Sequence, residues 1–220
     1  MRVNEIFQSI QGEGVRVGVP AVFVRLQGCN FFPSRCSYCD TQYAVDPKGG
    51  EDLSVSDIVD KVRSYVCSYA CISGGEPLLQ MSEVAQLVDR LQGREIEVEI
   101  ETNGSVLPEN IRPSHWNVDV KCLSSGFYGS FKTKWLTRLR NRDQLKFVVG
   151  TKEDLNFVRG FLNGARLRPT VLVSPIAEVG NPLGNWNREW LQECAEFCKK
   201  QNVRFSLQIH KLIWGNKKGV

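Results

Sequence analysis

Ala21-Val22-Phe23-Val24-Arg25-Leu26-Gln27-Gly28-Cys29-Asn30-Phe31-Phe32-Pro33-Ser34-Arg35-Cys36-Ser37-Tyr38-Cys39-Asp40-Thr41 is the stretch on which the fold is decided. Residues 21–26 are rich in β-branched and aromatic side chains, which predicts a strand. The loop leaving that strand then carries three thiols, Cys29, Cys36 and Cys39, within eleven residues. Thiolates are soft ligands, so a cysteine cluster on a loop suits an iron–sulfur cluster or zinc. Three is one short of the four protein ligands of a closed structural site. The loop therefore either recruits a distant fourth ligand or leaves one metal position open.

Outward from this stretch the hydrophobic pattern alternates between two periods. Further strand-like runs lie at about 95–102, 116–120, 145–149, 170–174 and 203–209, with a short one at 70–73. Ile96, Val98 and Ile100 alternating with Glu97, Glu99 and Glu101 give the clearest period of two. Helical spacing appears at Val55, Ile58, Val59, Val62 and Val66, with Ser54 or Ser56 as cap and an end near Ser68. It recurs at Val84, Leu87, Val88 and Leu91 between Ser82 and Gly93, at Leu155, Val158, Phe161 and Leu162 after Thr151, and at Trp190, Leu191, Cys194, Phe197 and Cys198. Strands alternating with helices imply an α/β fold on a mainly parallel sheet, open or curled into a partial barrel. Functional groups are then expected where loops leave the C-terminal strand ends.

The chain has 220 residues, 42% hydrophobic and 24% charged, which suits one core and excludes disorder and fibrous classes. No domain boundary, repeat or low-complexity tract is evident, so residues 1–220 read as a single domain. A net charge of +4 does not argue for nucleic-acid binding. No run approaches the roughly 18–20 apolar residues that span a bilayer, and Met1–Glu5 opens no secretory segment, so a soluble, cytoplasmic protein is expected. Eight cysteines are more than such a chain needs for stability. In a reducing compartment they point to metal or redox chemistry.

Each motif also has a plainer reading. Cys36 and Cys39 could pair with Cys67 and Cys71 as a zinc ribbon, although the second pair is split between a helix end and a strand start. Cys194 and Cys198, at i, i+4 on an apolar stripe, read as core. Ser73-Gly74-Gly75-Glu76-Pro77 taken alone is a turn whose glycines allow close approach to the backbone. Gly12–Gly18 has the wrong spacing for a dinucleotide fingerprint and precedes its strand. Lys132, Lys134, Trp135, Arg138, Arg140 and Arg142 form a basic segment with one aromatic, either a solvated face or the best support for a nucleic-acid module.

Three loop cysteines followed by Gly74-Gly75-Glu76-Pro77 resemble the radical S-adenosylmethionine (SAM) superfamily, in which three cysteines hold a [4Fe–4S] cluster and SAM chelates the open iron. The usual spacing is C-x3-C-x2-C. Here it is C-x6-C-x2-C, and the added residues fall between Cys29 and Cys36. Within the superfamily, Ser9–Gly14, Gly18–Pro20, Phe23–Leu26, Gly28–Asn30, Cys39–Thr41, Ser73–Pro77, Glu101–Gly104, Asp119–Lys121, Lys146–Val148 and Gln208–Lys211 are similar, in order, to the 7-carboxy-7-deazaguanine synthases. The similarity runs over nearly the whole chain. It implies a partial, shortened radical-SAM (β/α) barrel.

What that family does is then the expected activity: radical ring contraction of 6-carboxy-5,6,7,8-tetrahydropterin to 7-carboxy-7-deazaguanine with release of ammonia, a lyase step toward queuosine- and archaeosine-type deazapurines. The resemblance assigns Cys29, Cys36 and Cys39 to the [4Fe–4S] cluster and Thr41 to Mg²⁺. It assigns Gln11, Gly12, Glu13, Arg25, Ser73 and His210 to substrate. Gly75, Glu76, Glu101, Asn103, Asp119, Val120, Lys121, Ser174, Pro175 and Ile176 fall to SAM. Glu13 suits the amino and amide N–H donors of a pterin, and Arg25 offers a fork for its carboxylate. His210, placed at a strand end, is equally readable as a satisfied histidine. An external flavodoxin- or ferredoxin-type electron donor and a homodimer are also implied, with no membrane or nucleic acid required. A radical SAM enzyme of another substrate, such as a glycyl-radical enzyme activase, would share the cluster but would not need Gln11, Glu13 and Arg25.

Overall fold

In a computed structural model, residues 1–177, 187–215 and 217–220 are described. Among them, nine strands form one sheet: β1 (Arg2–Ile10), β2 (Pro20–Leu26), β3 (Glu51–Asp52), β4 (Tyr69–Gly74), β5 (Glu97–Thr102), β6 (His115–Lys121), β7 (Gln144–Val149), β8 (Thr170–Pro175) and β9 (Arg204–Phe205). The order is β3-β1-β2-β4-β5-β6-β7-β8-β9. From β2 to β9 every pairing is parallel, while β1 is antiparallel to both β2 and β3. The sheet does not close on itself, and it forms the partial barrel expected.

The helices are α1 (Val55–Arg63), α2 (Met81–Gln92), α3 (Trp135–Arg138), α4 (Lys152–Gly164), α5 (Arg188–Gln201) and α6 (Ile209–Trp214). Two begin with reciprocal caps: Ser54 with Asp57 on α1 and Thr151 with Asp154 on α4. Their apolar stripes, Ile58, Val59 and Val62 on α1 and Val84, Leu87, Val88 and Leu91 on α2, join Val22, Val24, Ile72, Val98 and Ile100 in one core. Fully burying a side chain of this kind contributes roughly 1.5–3 kcal/mol. Cys194 and Cys198 lie in this core, as their spacing predicts. None of the described helices is long and apolar enough to cross a membrane.

Three expectations are corrected, and one strand that none of them named is added. Strand β1 gives little signal because Val3 alone on it is buried, so its sequence shows no clean alternation. The run at 203–209 is a strand only at Arg204–Phe205. Ile209 N–H donates to Gly12 O (2.8 Å), which draws the chain off the sheet edge, and His210 sits in helix α6. Helix α1 stops at Arg63, and a turn at Tyr65–Cys67 leaves Val66 97% exposed instead of on the apolar stripe. Trp135 in the basic segment is wholly buried, packing edge-on against Trp116 (5.0 Å) and donating from Nε1 to Val106 O. Arg140 is committed to Asp143 (2.7 Å). The segment therefore offers no stacking aromatic to a nucleic acid.

Candidate active site

Parallel strands place their C-terminal ends on one rim, and a deep cavity opens there. It is lined by Arg25 of β2, Ser73 and Gly74 of β4, Glu101 and Thr102 of β5, Asp119 and Lys121 of β6, and Lys146 and Val148 of β7. Cys29, Cys36 and Cys39 line the same cavity. Backbone hydrogen bonds hold their loop at both ends: Gly28 N–H to Ala44 O (2.8 Å), Cys29 N–H to Val45 O (3.0 Å) and Ser37 N–H to Ser125 O (3.1 Å). The extra residues between Cys29 and Cys36 lean on the loop that follows β6, where Phe31 stacks on Phe127 (3.9 Å, 12°). The longer spacing thus has a seat of its own.

Two glycines set the loop's height above the sheet. Gly74 has φ +128°, and a Cβ on it would lie 2.2 Å from Leu26 O. A Cβ on Gly75 would lie 2.0 Å from Gly28 O and 2.7 Å from Ala44 O. Backbone therefore packs directly on backbone where the cysteine loop begins, and Glu76 N–H donates to Gly28 O (2.8 Å). The Glu76 side chain turns inward. Its carboxylate accepts from Thr102 Oγ1 (2.8 Å), Asn103 N–H (2.8 Å) and Leu78 N–H (3.0 Å), tying the end of β4 to that of β5.

The donor set fits an iron–sulfur cluster better than one zinc ion. Sulfurs around a zinc at about 2.3 Å stand about 3.8 Å apart. Among the described residues, Cys71, Glu99 and Glu101 alone bring three such ligand atoms within 4.8 Å of one another. The sulfurs of Cys29, Cys36 and Cys39 do not all come as close together as one zinc ion would require. Burial pushes the Cys29 and Cys36 thiols up, so as free thiols they hold protons that a metal would replace. The zinc-ribbon pairing fails on position. The Cys67 sulfur lies against Pro20 O (3.2 Å) at the start of β2, whereas Cys36 and Cys39 line the cavity at the opposite, C-terminal end of that strand, about 20 Å away at strand rise. Cys71 is buried within β4.

Most of the charged side chains that line the cavity are paired. Arg25 Nε donates to Glu5 (2.7 Å), and its guanidinium lies over the Phe7 and Tyr43 rings. Lys146 bridges Glu13 (3.1 Å) and Asp119 (3.3 Å), and Asp119 also accepts from Lys121 (2.7 Å). Burial alone would raise the Asp119 carboxyl, but the two lysines outweigh it and hold it below the usual carboxylate range. Lys211 pairs with Asp40 (2.7 Å). Burial lowers the His210 imidazole, which favours its neutral form. His210 packs so tightly on Gly12 that a Cβ there would meet its Nδ1 at 1.9 Å.

Of the residues singled out from sequence, Gln11, Gly12, Glu13, Arg25, Cys29, Cys36, Cys39, Thr41, Ser73, Gly75, Glu101, Asn103, Asp119, Lys121, Ile176 and His210 share this one cavity. Glu76, Val120, Ser174 and Pro175 are buried and not among its lining. Lys146 lines it and has no role from sequence, although a lysine inside the apolar run 145–149, in register with Asp119, is a readable signal. Asp40, Gln208, Lys211 and Val220 line it as well.

Residues 23–113, which include the three cysteines, match the Radical SAM superfamily. The chain is 39% identical over 217 residues to the 7-carboxy-7-deazaguanine synthase of Methanospirillum hungatei, across 97% of this chain and 85% of that one. The chain belongs to the 7-carboxy-7-deazaguanine synthase family. The Pyrobaculum aerophilum synthase is 34% identical over 232 residues, with 100% of this chain and 97% of that one covered. Among solved structures, that of QueE from Escherichia coli superposes with a TM-score of 0.73 at 26% identity, covering 94% of this chain and 93% of the other. Synthase relatives thus span the chain from end to end, well beyond the segment common to the superfamily.

Proposed function

We propose that the rim cavity converts 6-carboxy-5,6,7,8-tetrahydropterin to 7-carboxy-7-deazaguanine and ammonia, in deazapurine biosynthesis of the queuosine or archaeosine kind. The observation that carries this reading is the sharing of one cavity by Cys29, Cys36 and Cys39 with Gln11, Glu13 and Arg25. A metal loop alone would not need the second group. Overall the conversion neither gains nor loses electrons, so no stoichiometric oxidant is required.

Cys29, Cys36 and Cys39 would hold a [4Fe–4S] cluster, with Thr41 offering an oxygen to Mg²⁺. Together with SAM, the cluster supplies one-electron chemistry and hydrogen-atom abstraction from carbon, which no side chain here can provide. The protein's own part is binding and orientation. Arg25, fixed by Glu5 and two aromatic rings, presents its remaining N–H groups to the pterin carboxylate. Glu13, held by Lys146, accepts from the pterin's amino and amide N–H groups. Ser73 and His210 complete the substrate side. Gly75, Glu101, Asn103, Asp119, Lys121 and Ile176 line the SAM side, while Glu76, Val120, Ser174 and Pro175 support it from behind. Asp119 and Lys146 join the two halves.

Residues 1–220 act as one catalytic domain, a small flavodoxin- or ferredoxin-type protein supplies the electron, and the assembly is a homodimer. The experiment is anaerobic turnover of the reconstituted protein with SAM, reductant, Mg²⁺ and the carboxytetrahydropterin. The deazaguanine acid is expected from the wild type, with a raised KM in Arg25→Ala. A cluster-replete protein that leaves the pterin unchanged would overturn the substrate assignment.

A further inference from the structure

Glu99 has no part in the chemistry above and does not line the cavity, yet it is wholly buried with both carboxylate oxygens engaged. Oε1 accepts from Gln11 Nε2 (2.8 Å) and Oε2 from Gln144 Nε2 (2.8 Å). Gln11 Nε2 donates to Glu101 Oε1 as well (3.2 Å), and with their NH2 groups so engaged both glutamines turn their amide oxygens the other way. Gln144 Oε1 accepts from Val15 N–H (2.9 Å) and Gln11 Oε1 from Glu13 N–H (3.4 Å). These two N–H groups belong to the β1–β2 connection, which carries Gly12 and Glu13 into the cavity.

We infer that Glu99 is a positioning residue which, through the amide orientations of Gln11 and Gln144, fixes the backbone of residues 11–15 so that Gly12 and Glu13 face the substrate. The reason is the number of acceptors. A backbone N–H, a glutamine, Glu99, a second glutamine and a second backbone N–H form a chain with donors at both outer ends, and every contact is satisfied only if the central group accepts twice. A carboxyl group does so in either protonation state. An amide cannot, because its NH2 would face another donor, and turning either glutamine only moves the mismatch to Glu13 N–H or Val15 N–H. This inference rests on the substrate reading for its effect on binding, but the ordering of residues 11–15 does not.

The test uses the cluster-loaded protein without reductant. Glu99→Gln should weaken binding of the carboxytetrahydropterin roughly tenfold, the scale of one buried donor left unpaired. SAM affinity and iron content should stay as in the wild type. Amide hydrogen exchange across residues 11–15 should quicken by roughly the same factor. The exchanged pair Glu99→Gln with Gln144→Glu restores every contact: the amide now at position 99 accepts from Gln11 and donates to the carboxylate now at position 144, whose other oxygen accepts from Val15 N–H. The double variant should therefore recover both pterin affinity and slow exchange, which a merely structural acid at position 99 would not give. Unchanged exchange in Glu99→Gln, or a folded double variant no better than the single one, would overturn the inference. Should Glu99→Gln not fold, the double variant carries the test against the wild type. A wild type that fails to bind the pterin would sink the substrate reading, while the exchange measurements would still decide the role of Glu99.

Discussion

Gly75→Ala tests whether the glycine pair seats the cysteine loop. The added Cβ would fall 2.0 Å from Gly28 O, 2.4 Å from Gly28 C and 2.7 Å from Ala44 O, all backbone atoms with no flexible end to swing aside. Relief needs about 1 Å of movement in either β4 or the residue preceding Cys29. Overpacking of this kind costs about 1–3 kcal/mol. The hydrogen bond from Glu76 N–H to Gly28 O (2.8 Å) would be stretched by the same movement, adding about 1 kcal/mol. The sum, about 2–4 kcal/mol, is a large part of a typical domain's stability and corresponds to a Tm lower by roughly 5–15 °C at this chain length. Urea unfolding of the metal-free protein measures the first effect. Iron content after anaerobic reconstitution measures the second, and it should fall because Cys29 moves with Gly28. A variant within about 0.5 kcal/mol of wild type and fully loaded with iron would refute the reasoning, since the backbone contact would then not be what places the loop.

Gly160 is the contrasting site: it lies exposed within α4, and a Cβ there meets nothing within 4 Å. Gly160→Ala should raise stability by about 0.5–1 kcal/mol in the same urea titration, with iron content unchanged. Glu99 should leave a signature in the pH dependence of stability. Burial and then the neighbouring Glu101 push its carboxyl up to about 8 in the folded protein, above its value of about 4.3 in the unfolded chain. The stability tied to its proton is full below about pH 4.3 and is lost as pH rises toward 8, because over that window the native state binds more protons than the unfolded one. Urea titrations at pH 5 to 8 should show that decline in the wild type and a flatter line in Glu99→Gln. Parallel lines would mean that Glu99 ionises normally.

The sheet was legible because buried parallel strands read as dense apolar runs, and the caps at Ser54 and Thr151 are local chemistry between residues three apart. Strand β1 was not, since seven of its nine residues are only half-buried and one is exposed, which blurs any alternation. The three cysteines and their neighbours could be picked out because a loop concentrates them. Glu99 could not. In Glu97–Thr102 the alternation is plain, but it says that one face is polar, not that this face is the barrel interior, where Glu99 meets glutamines 88 and 45 positions away in sequence. Lys146 stands out as a charge inside an apolar run, but its partners were hidden for a similar reason: Glu13 and Asp119 come from two different elements, and only the register of β6 on β7 and the path of the β1–β2 connection bring them to it.

The most direct test of the central claim is an anaerobic reaction in which pterin loss, deazaguanine acid and ammonia are quantified together, for the wild type and for Cys36→Ala. The account predicts one deazaguanine acid and one ammonia for each pterin consumed by the wild type, and neither product nor cluster in the variant. A cluster-bearing Cys36→Ala protein, or a wild type that cleaves SAM without forming the deazaguanine acid, would contradict it.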